Sequence, residues 1–339
     1  MALSERQLVS KPREQLRDAN PDDFTSEPMK RIAKNLIKTF AHGLPMRVQW
    51  AMMEQFSIDL CPWNVFGHVA PQCGISSVRV AGAYGTIQSA PTDRVILRAY
   101  ADTGYWAKGT NDTLIAFFLQ SGGGRYIDIG ANIGLTTIPV AQNPKVHCLA
   151  VEPEPTNFSN LTINVEVNCP HRNVQLRQLA VFSRRDTLKF EIATSGNLGD
   201  HRIRLQDKPG RLGEHTWTTI NVEAVPLDDI VDATEGPLAV KMDTQGAEPF
   251  IVEGGRKILA EADLLICEWA PYWMSRLGGD PATITDFLRK HFRLISMTSG
   301  EDNSVSTSEP VDIATERLLE LAHKHRDDPR QYFEIVGRK

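Results

Sequence analysis

The 339-residue sequence predicts an α/β protein built on a doubly wound, mostly parallel sheet with an antiparallel edge strand. Three observations carry that prediction. From Gly124 onward, short apolar strand patterns alternate with helical ones. The first of these strands runs into a glycine-rich turn, Gly130-Ala131-Asn132-Ile133-Gly134, followed by helix-compatible sequence. The second ends in an acid, Glu152, followed by Pro153. Such sheets bind ligands outside the carboxyl ends of their strands, where a turn opening a helix offers backbone N–H groups.

The first 95 residues read differently. Met29, Ile32, Ala33, Leu36, Ile37 and Phe40 recur at helical spacing, with Lys30, Arg31, Lys34 and Lys38 between them. A basic amphipathic helix over 27–40 can pack on a core or on a second subunit of a homo-oligomer, its commoner uses, or make a peripheral contact with an anionic membrane. A second helix is expected near 45–58, and short strands at 78–81 and 94–99. Residues 1–95 are thus expected as an N-terminal extension and 96–339 as the main domain.

In that domain, strands are expected at 125–129, 146–152, 174–181, 238–243 and 263–269, with helices at 133–142, 154–168 and 248–261. An insertion at about 183–225 carries two further strand patterns, TLKFEIA (187–193) and WTTINVEAV (217–225), around a polar loop from 195 to 215. Helix 282–291, strand 292–298, helix 311–325 and strand 331–337 follow, the last strands closing the sheet with an antiparallel edge.

With 37 basic and 42 acidic residues the net charge is −5. That balance argues against a nucleic-acid partner bound through a phosphate-neutralising surface. The five cysteines form no CxxC pair and no metal-ligand spacing, and Cys148 and Cys267 sit inside apolar strands. An odd, unpatterned set suits a reducing compartment. The N-terminus is charged and lacks an apolar leader, and no run approaches the ~18 apolar residues of a membrane span. A cytoplasmic location is the expectation.

The turn has the pattern Asp128-x-Gly130-x-Asn132-x-Gly134. It does not have the G-x-G-x-x-G spacing of dinucleotide binders, which counts against an NAD-dependent oxidoreductase. It is read as a nucleoside-binding loop for S-adenosylmethionine, with a merely structural corner as the alternative. Its glycines are expected to bring the ligand close to the backbone. Asp128 would orient the loop or the cofactor's ammonium group. Glu152 lies 22 residues beyond Gly130, near the offset of about 20 at which such folds place a ribose-binding carboxylate. The adenine is expected near Leu179 and Ala180.

Further motifs follow in order: VEPEP (151–155), PLDDI (226–230), KMDTQGAE (241–248), EGG (253–255) and LLICE (264–268). With DIGANIG (128–134), they make the chain resemble the FkbM family of S-adenosylmethionine-dependent methyltransferases from about Gly104 to Glu268. The resemblance implies a seven-stranded, Rossmann-like methyltransferase sheet. It also implies O-methylation, often of sugar hydroxyls in glycans, glycolipids or secondary metabolites. Family members often carry Glu where this chain has Gln245, so a positioning role is all that Gln245 is given.

A hydroxyl needs somewhere to send its proton. One candidate is His201 as general base, within the polar run Asn197-Leu198-Gly199-Asp200-His201-Arg202, whose Asn197 and Arg202 are candidate substrate contacts. The other is the pair Asp243 and Glu268. On neighbouring strands their ends would lie about 5 Å apart. They could share a Mg²⁺ or, as slightly favoured, bind substrate hydroxyls without metal. Gln245 and Trp269 complete the substrate set. Of the aromatics Tyr105, Trp106, Trp269, Tyr272 and Trp273, two are expected at a ligand. Glu248 is expected simply to sit at the positive end of a helix. Two rivals besides the oxidoreductase remain: a nucleic-acid methyltransferase, whose Asn/Asp-Pro-Pro-aromatic motif is missing, and a non-catalytic glycan-binding protein on the same fold.

Overall fold

The computed structural model describes residues 62–193, 196–206, 210–232, 235–299 and 307–339. The helices expected over 27–40 and 45–58 lie outside them. The chain divides after Phe66, so the boundary expected at residue 95 falls inside the unit Gly67–Lys339.

The elements begin with α1 (Pro62–Val69), β1 (Val78–Gly82), β2 (Gly85–Ser89), α2 (Ile96–Thr103) and α3 (Lys108–Ser121). Then come β3 (Gly124–Ile129), α4 (Thr137–Ala141), β4 (Val146–Val151), α5 (Pro155–Asn168) and β5 (Val174–Arg177). The insertion holds β6 (Ala180–Val181), β7 (Asp186–Glu191), β8 (Arg202–Arg204) and β9 (Thr219–Val225). After it stand β10 (Leu238–Met242), α6 (Glu248–Gly254), α7 (Arg256–Glu261), β11 (Leu264–Trp269) and α8 (Pro271–Leu277). Last are α9 (Pro281–His291), β12 (Leu294–Ser299), β13 (Glu309–Pro310), α10 (Val311–Lys324) and β14 (Phe333–Arg338).

Eight strands form the main sheet in the order β13-β12-β14-β11-β10-β3-β4-β5. The five from β5 to β11 are parallel. β14 runs antiparallel to both β11 and β12, so it lies inside the sheet and not at its edge, which the short β13 occupies. From β3 the chain winds outward to β4 and β5, then returns to β10 and winds the other way. The reversal opens a crevice between the ends of β3 and β10, where this architecture binds ligands. The parallel strands are apolar on both faces because both are covered. Ile127, Leu149, Val240, Met242 and Leu265 all belong to one buried core.

The predicted strand at 174–181 splits. Residues 174–177 stay in the main sheet, and β6 pairs with β9 in a four-stranded sheet of order β6-β9-β7-β8. The helix predicted at 248–261 also breaks, after Gly254, where a Cβ would run into the Phe182 carbonyl. Residues 94–99 form no strand. Asp93 accepts from the N–H groups of Val95, Ile96 and Leu97, and this cap starts α2 instead. Among the described residues, no helix is long and apolar enough to cross a membrane, and Cys73, Cys148, Cys169 and Cys267 are unpaired.

Candidate active site

The ends of β3, β4, β10 and β11 open on one cleft of about 1040 Å³. Gly130, Ala131, Asn132, Glu152, Leu179 and Ala180 line one half of it. Gly130 has φ +80°, and a Cβ there would strike the Asp243 carbonyl oxygen. A Cβ on Gly134 would press on Leu161 and Ile138. These glycines therefore let a neighbouring strand end and α5 close on the loop. Gly130 also lines the cleft, and Gly134 does not.

Asp128 is fully buried behind the loop, where its Oδ2 accepts from the hydroxyls of Thr136 and Thr137, both at 2.7 Å. These contacts tie it to the segment that follows the glycine turn. Asn132 donates its N–H to Glu152 Oε2 at 2.9 Å. Its Nδ2 and that of Asn157 both donate to the Leu198 carbonyl at 2.9 Å, which fastens the 196–201 loop to this half. Glu152 Oε1 accepts from Glu154 N–H at 2.9 Å. Burial pushes the Glu152 carboxyl up to about 7, against backbone hydrogen bonds that pull it down. Each of its oxygens retains capacity for another donor.

The other half holds Lys241, Asp243, Gln245 and Glu268. Lys241 Nζ stands 3.5 Å from Asp128 Oδ1 and 3.4 Å from Asp243 Oδ2. Burial works to discharge this ammonium, but the two carboxylates outweigh it and hold it protonated. Gln245, at φ +59°, donates its backbone N–H and Nε2 to the two Glu268 oxygens, at 3.2 and 2.9 Å. The amide thus orients the carboxylate. Burial, then the charges of Asp243 and Glu248, push the Glu268 carboxyl well up. Glu248 does more than sit at a helix start. It accepts from Thr244 N–H and hydroxyl and from Gly246 N–H, clamping the loop between β10 and α6.

Several expectations change. His201 lines the cleft, but its Nδ1 accepts the Ala193 N–H at 2.9 Å. The neutral ring must then carry its proton on Nε2, so no imidazole lone pair is left to act as base. Burial also lowers its proton affinity. Asn197 lines the cleft. Arg202 does not. It is buried between Trp273 and Trp217, its guanidinium carbon 3.4 and 5.1 Å from their ring centres. Trp269 is fully buried in the core and does not line the cleft. Tyr105, Trp106 and Trp273 line the cleft from the aromatic set. Among the described residues, no group of three or more His, Cys, Asp or Glu could hold a metal ion. A Mg²⁺ shared by Asp243 and Glu268 therefore has no support among them. Sequence reasoning missed Thr110, Tyr332 and Glu334, which also line this half. A single acid in the otherwise uncharged run 331–337 was the one signal for Glu334.

Residues 128–294 match the family model "Methyltransferase FkbM domain". The chain carries an FkbM methyltransferase domain. It is therefore an S-adenosylmethionine-dependent methyltransferase, and the match begins later and ends later than the stretch expected from the motifs. Two solved structures are similar at low identity. Precorrin-6y C5,15-methyltransferase from Geobacter metallireducens GS-15 is 11% identical with a TM-score of 0.34, over 68% of this chain and 87% of that one. TYW2 from M. jannaschii, in complex with AdoMet, is 13% identical with a TM-score of 0.36, over 78% and 85%. No curated protein sequence matches significantly.

The donor set of the FkbM domain fits the cofactor. A strand-end carboxylate with spare acceptor capacity suits the ribose diol, and the apolar Leu179–Ala180 segment suits adenine. Gly130 to Asn132 lie between them and Asp243, on the way to the acceptor half.

Proposed function

We propose that this enzyme methylates a hydroxyl oxygen of a sugar, in a glycan, glycolipid or secondary metabolite. The observation that carries the reading is the chemistry of the acceptor half. Four carboxylates line it: Asp200, Asp243, Glu268 and Glu334. An ionised carboxylate only accepts hydrogen bonds, so the set suits an acceptor bringing several O–H donors. Trp273, Trp106 and Tyr332 add flat apolar faces for the C–H surface of a ring.

S-adenosylmethionine supplies a methyl group already activated by its sulfonium, so the protein's work is alignment and proton removal. Glu268, made more basic by its burial and held in one orientation by Gln245, takes the hydroxyl proton. Asp243, nearly half exposed to the cleft and steadied by Lys241, holds the acceptor beside the cofactor half. Asn197 and Gln245 complete the contacts. A small-molecule or glycan partner in the cytoplasm accords with this reading and with the net charge of −5.

The test uses methyl-deuterated S-adenosylmethionine with a panel of neutral sugars. Label recovered as an O-methyl ether supports the proposal. Label on nitrogen or carbon alone, or on no sugar at all, defeats it.

A further inference from the structure

The far wall of the cleft comes from outside residues 128–294. Helix α3 and strand β14 meet there. Glu334 of β14 is paired in register with Glu268 of β11 on one side and with Thr298 of β12 on the other. Paired positions face the same side with Cβ atoms about 5 Å apart, so the two glutamates stand next to each other on the cleft wall. Thr110 Oγ1 of α3 lies 2.9 and 2.7 Å from the two Glu334 oxygens. One hydroxyl hydrogen serves one oxygen at a time, so Glu334 keeps capacity for further donors. Tyr332 lies at the same wall. Asp200, Asp243, Glu268 and Glu334 line the same cleft as Tyr332. Among the cations lining the cleft, Lys241 on the floor is matched by Asp128 and Asp243 and Lys108 pairs with Asp112, while Arg330 and Arg338 also stand in the lining.

We propose that Glu334 is a specificity-determining residue of the acceptor site: beside Glu268 it receives a neighbouring hydroxyl of the same sugar ring, and together the carboxylates turn away acceptors that bear a carboxylate. Thr110 is its positioning residue. The inference rests on the sugar-hydroxyl reading above and assigns acceptor recognition to segments outside the FkbM match. A carboxylate held 5 Å from another cannot bond an anionic ring substituent without repulsion, whereas it bonds a hydroxyl or ammonium group. Were the Thr110–Glu334 contact only a tie between helix and sheet, its loss would lower stability without altering which sugars bind.

The experiment is saturation-transfer NMR on the full chain loaded with S-adenosylhomocysteine, using glucose, glucosamine and glucuronate as probes. The wild type is expected to bind glucose and glucosamine and to exclude glucuronate. Glu334→Gln should weaken glucose binding about tenfold, the scale of one lost hydrogen bond, and narrow the discrimination against glucuronate. Glu334→Asp should restore part of the discrimination, and Thr110→Val should weaken glucose less than Glu334→Gln does. Cofactor affinity by calorimetry should stay within about twofold throughout, reporting an intact fold. Glucose binding unchanged in Glu334→Gln would overturn the assignment, as would a wild type that prefers glucuronate or binds none of the three. Methyl transfer is scored separately. Glu334-dependent sugar binding without transfer to any hydroxyl would leave this subsite standing and remove the proposed reaction.

Discussion

At Glu152 two effects oppose each other. Its hydrogen bonds to Asn132 and Glu154 favour the ionised form, and burial disfavours it, leaving the group near 7. The ionised form is the one that accepts from two ribose hydroxyls. Cofactor affinity is therefore expected to fall as pH drops through about 7, and Glu152→Gln should flatten that dependence in calorimetric titrations. In the cofactor-free protein the sign reverses. A carboxyl raised from the ordinary 4.5 contributes most stability below that value and loses it as pH rises through 7. Stabilisation by S-adenosylmethionine should thus grow with pH over the same range. Glu268 makes a second prediction. As a base of raised pKa it must lose its proton to act, so turnover should rise with pH along a limb above the ordinary carboxylate range. Glu268→Gln should remove that limb and cost about 10²–10⁴-fold in kcat, and a retained limb would reassign the base. Glu152 was legible in the sequence because a strand end and a fixed offset define it locally. The state of His201 was not, since it depends on a backbone N–H eight residues away. Trp269 was misplaced because an apolar strand end next to an acid looks the same whether it faces the core or a ligand.

Elements are joined here by side chains that imitate backbone. Asn164 accepts from Gln88 N–H and donates to Gln88 carbonyl, at 2.7 and 2.9 Å. One turn on, Asn168 does the same to Thr86, at 2.9 Å each. The i, i+4 spacing of the helix thus meets alternate residues of β2, and α5 holds that strand as a neighbouring strand would. Asn164→Ala should cost about 2–3 kcal/mol by leaving the Gln88 N–H and the carbonyls of Gln88 and Ile133 without this partner, read by denaturant unfolding. Within the inserted sheet, Glu191 is fully buried, with Arg204 at 2.6 Å and Arg276 at 2.7 Å. Glu191→Ala strands these cations and should cost about 3–5 kcal/mol. A loss under 1 kcal/mol would show that solvent reaches the cluster. The parallel strands were legible because two-sided burial writes near-continuous apolar runs. Helix α3 was not, because buried Thr110 and Asn111 share its inward side with Leu114 and Phe118 and blur the apolar period. Residues 94–99 read as a strand from their apolar content, while the deciding signal was the capping carboxylate of Asp93.

Across the whole molecule, one topological fact organises the rest. The strand order reverses between β3 and β10, and the residues proposed for the cofactor sit on one side of that reversal with those proposed for the acceptor on the other. The family motifs lie at the strand ends around it, and Gly130, Asn132 and Glu152 come together on one cleft there. The acceptor wall draws on α3 and β14, more than 200 residues apart in the chain, and only the fold brings Thr110 to Glu334. The central claim is that S-adenosylmethionine is held in this crevice by the β4 carboxylate. The most direct test is calorimetric titration of S-adenosylmethionine and NAD into wild type, Glu152→Gln and Glu152→Ala above pH 7. The wild type should bind S-adenosylmethionine and not NAD, with Glu152→Ala at least about tenfold weaker, a loss of about 1.4 kcal/mol or more. Equal affinity in all three proteins, or binding of NAD in its place, would contradict the account.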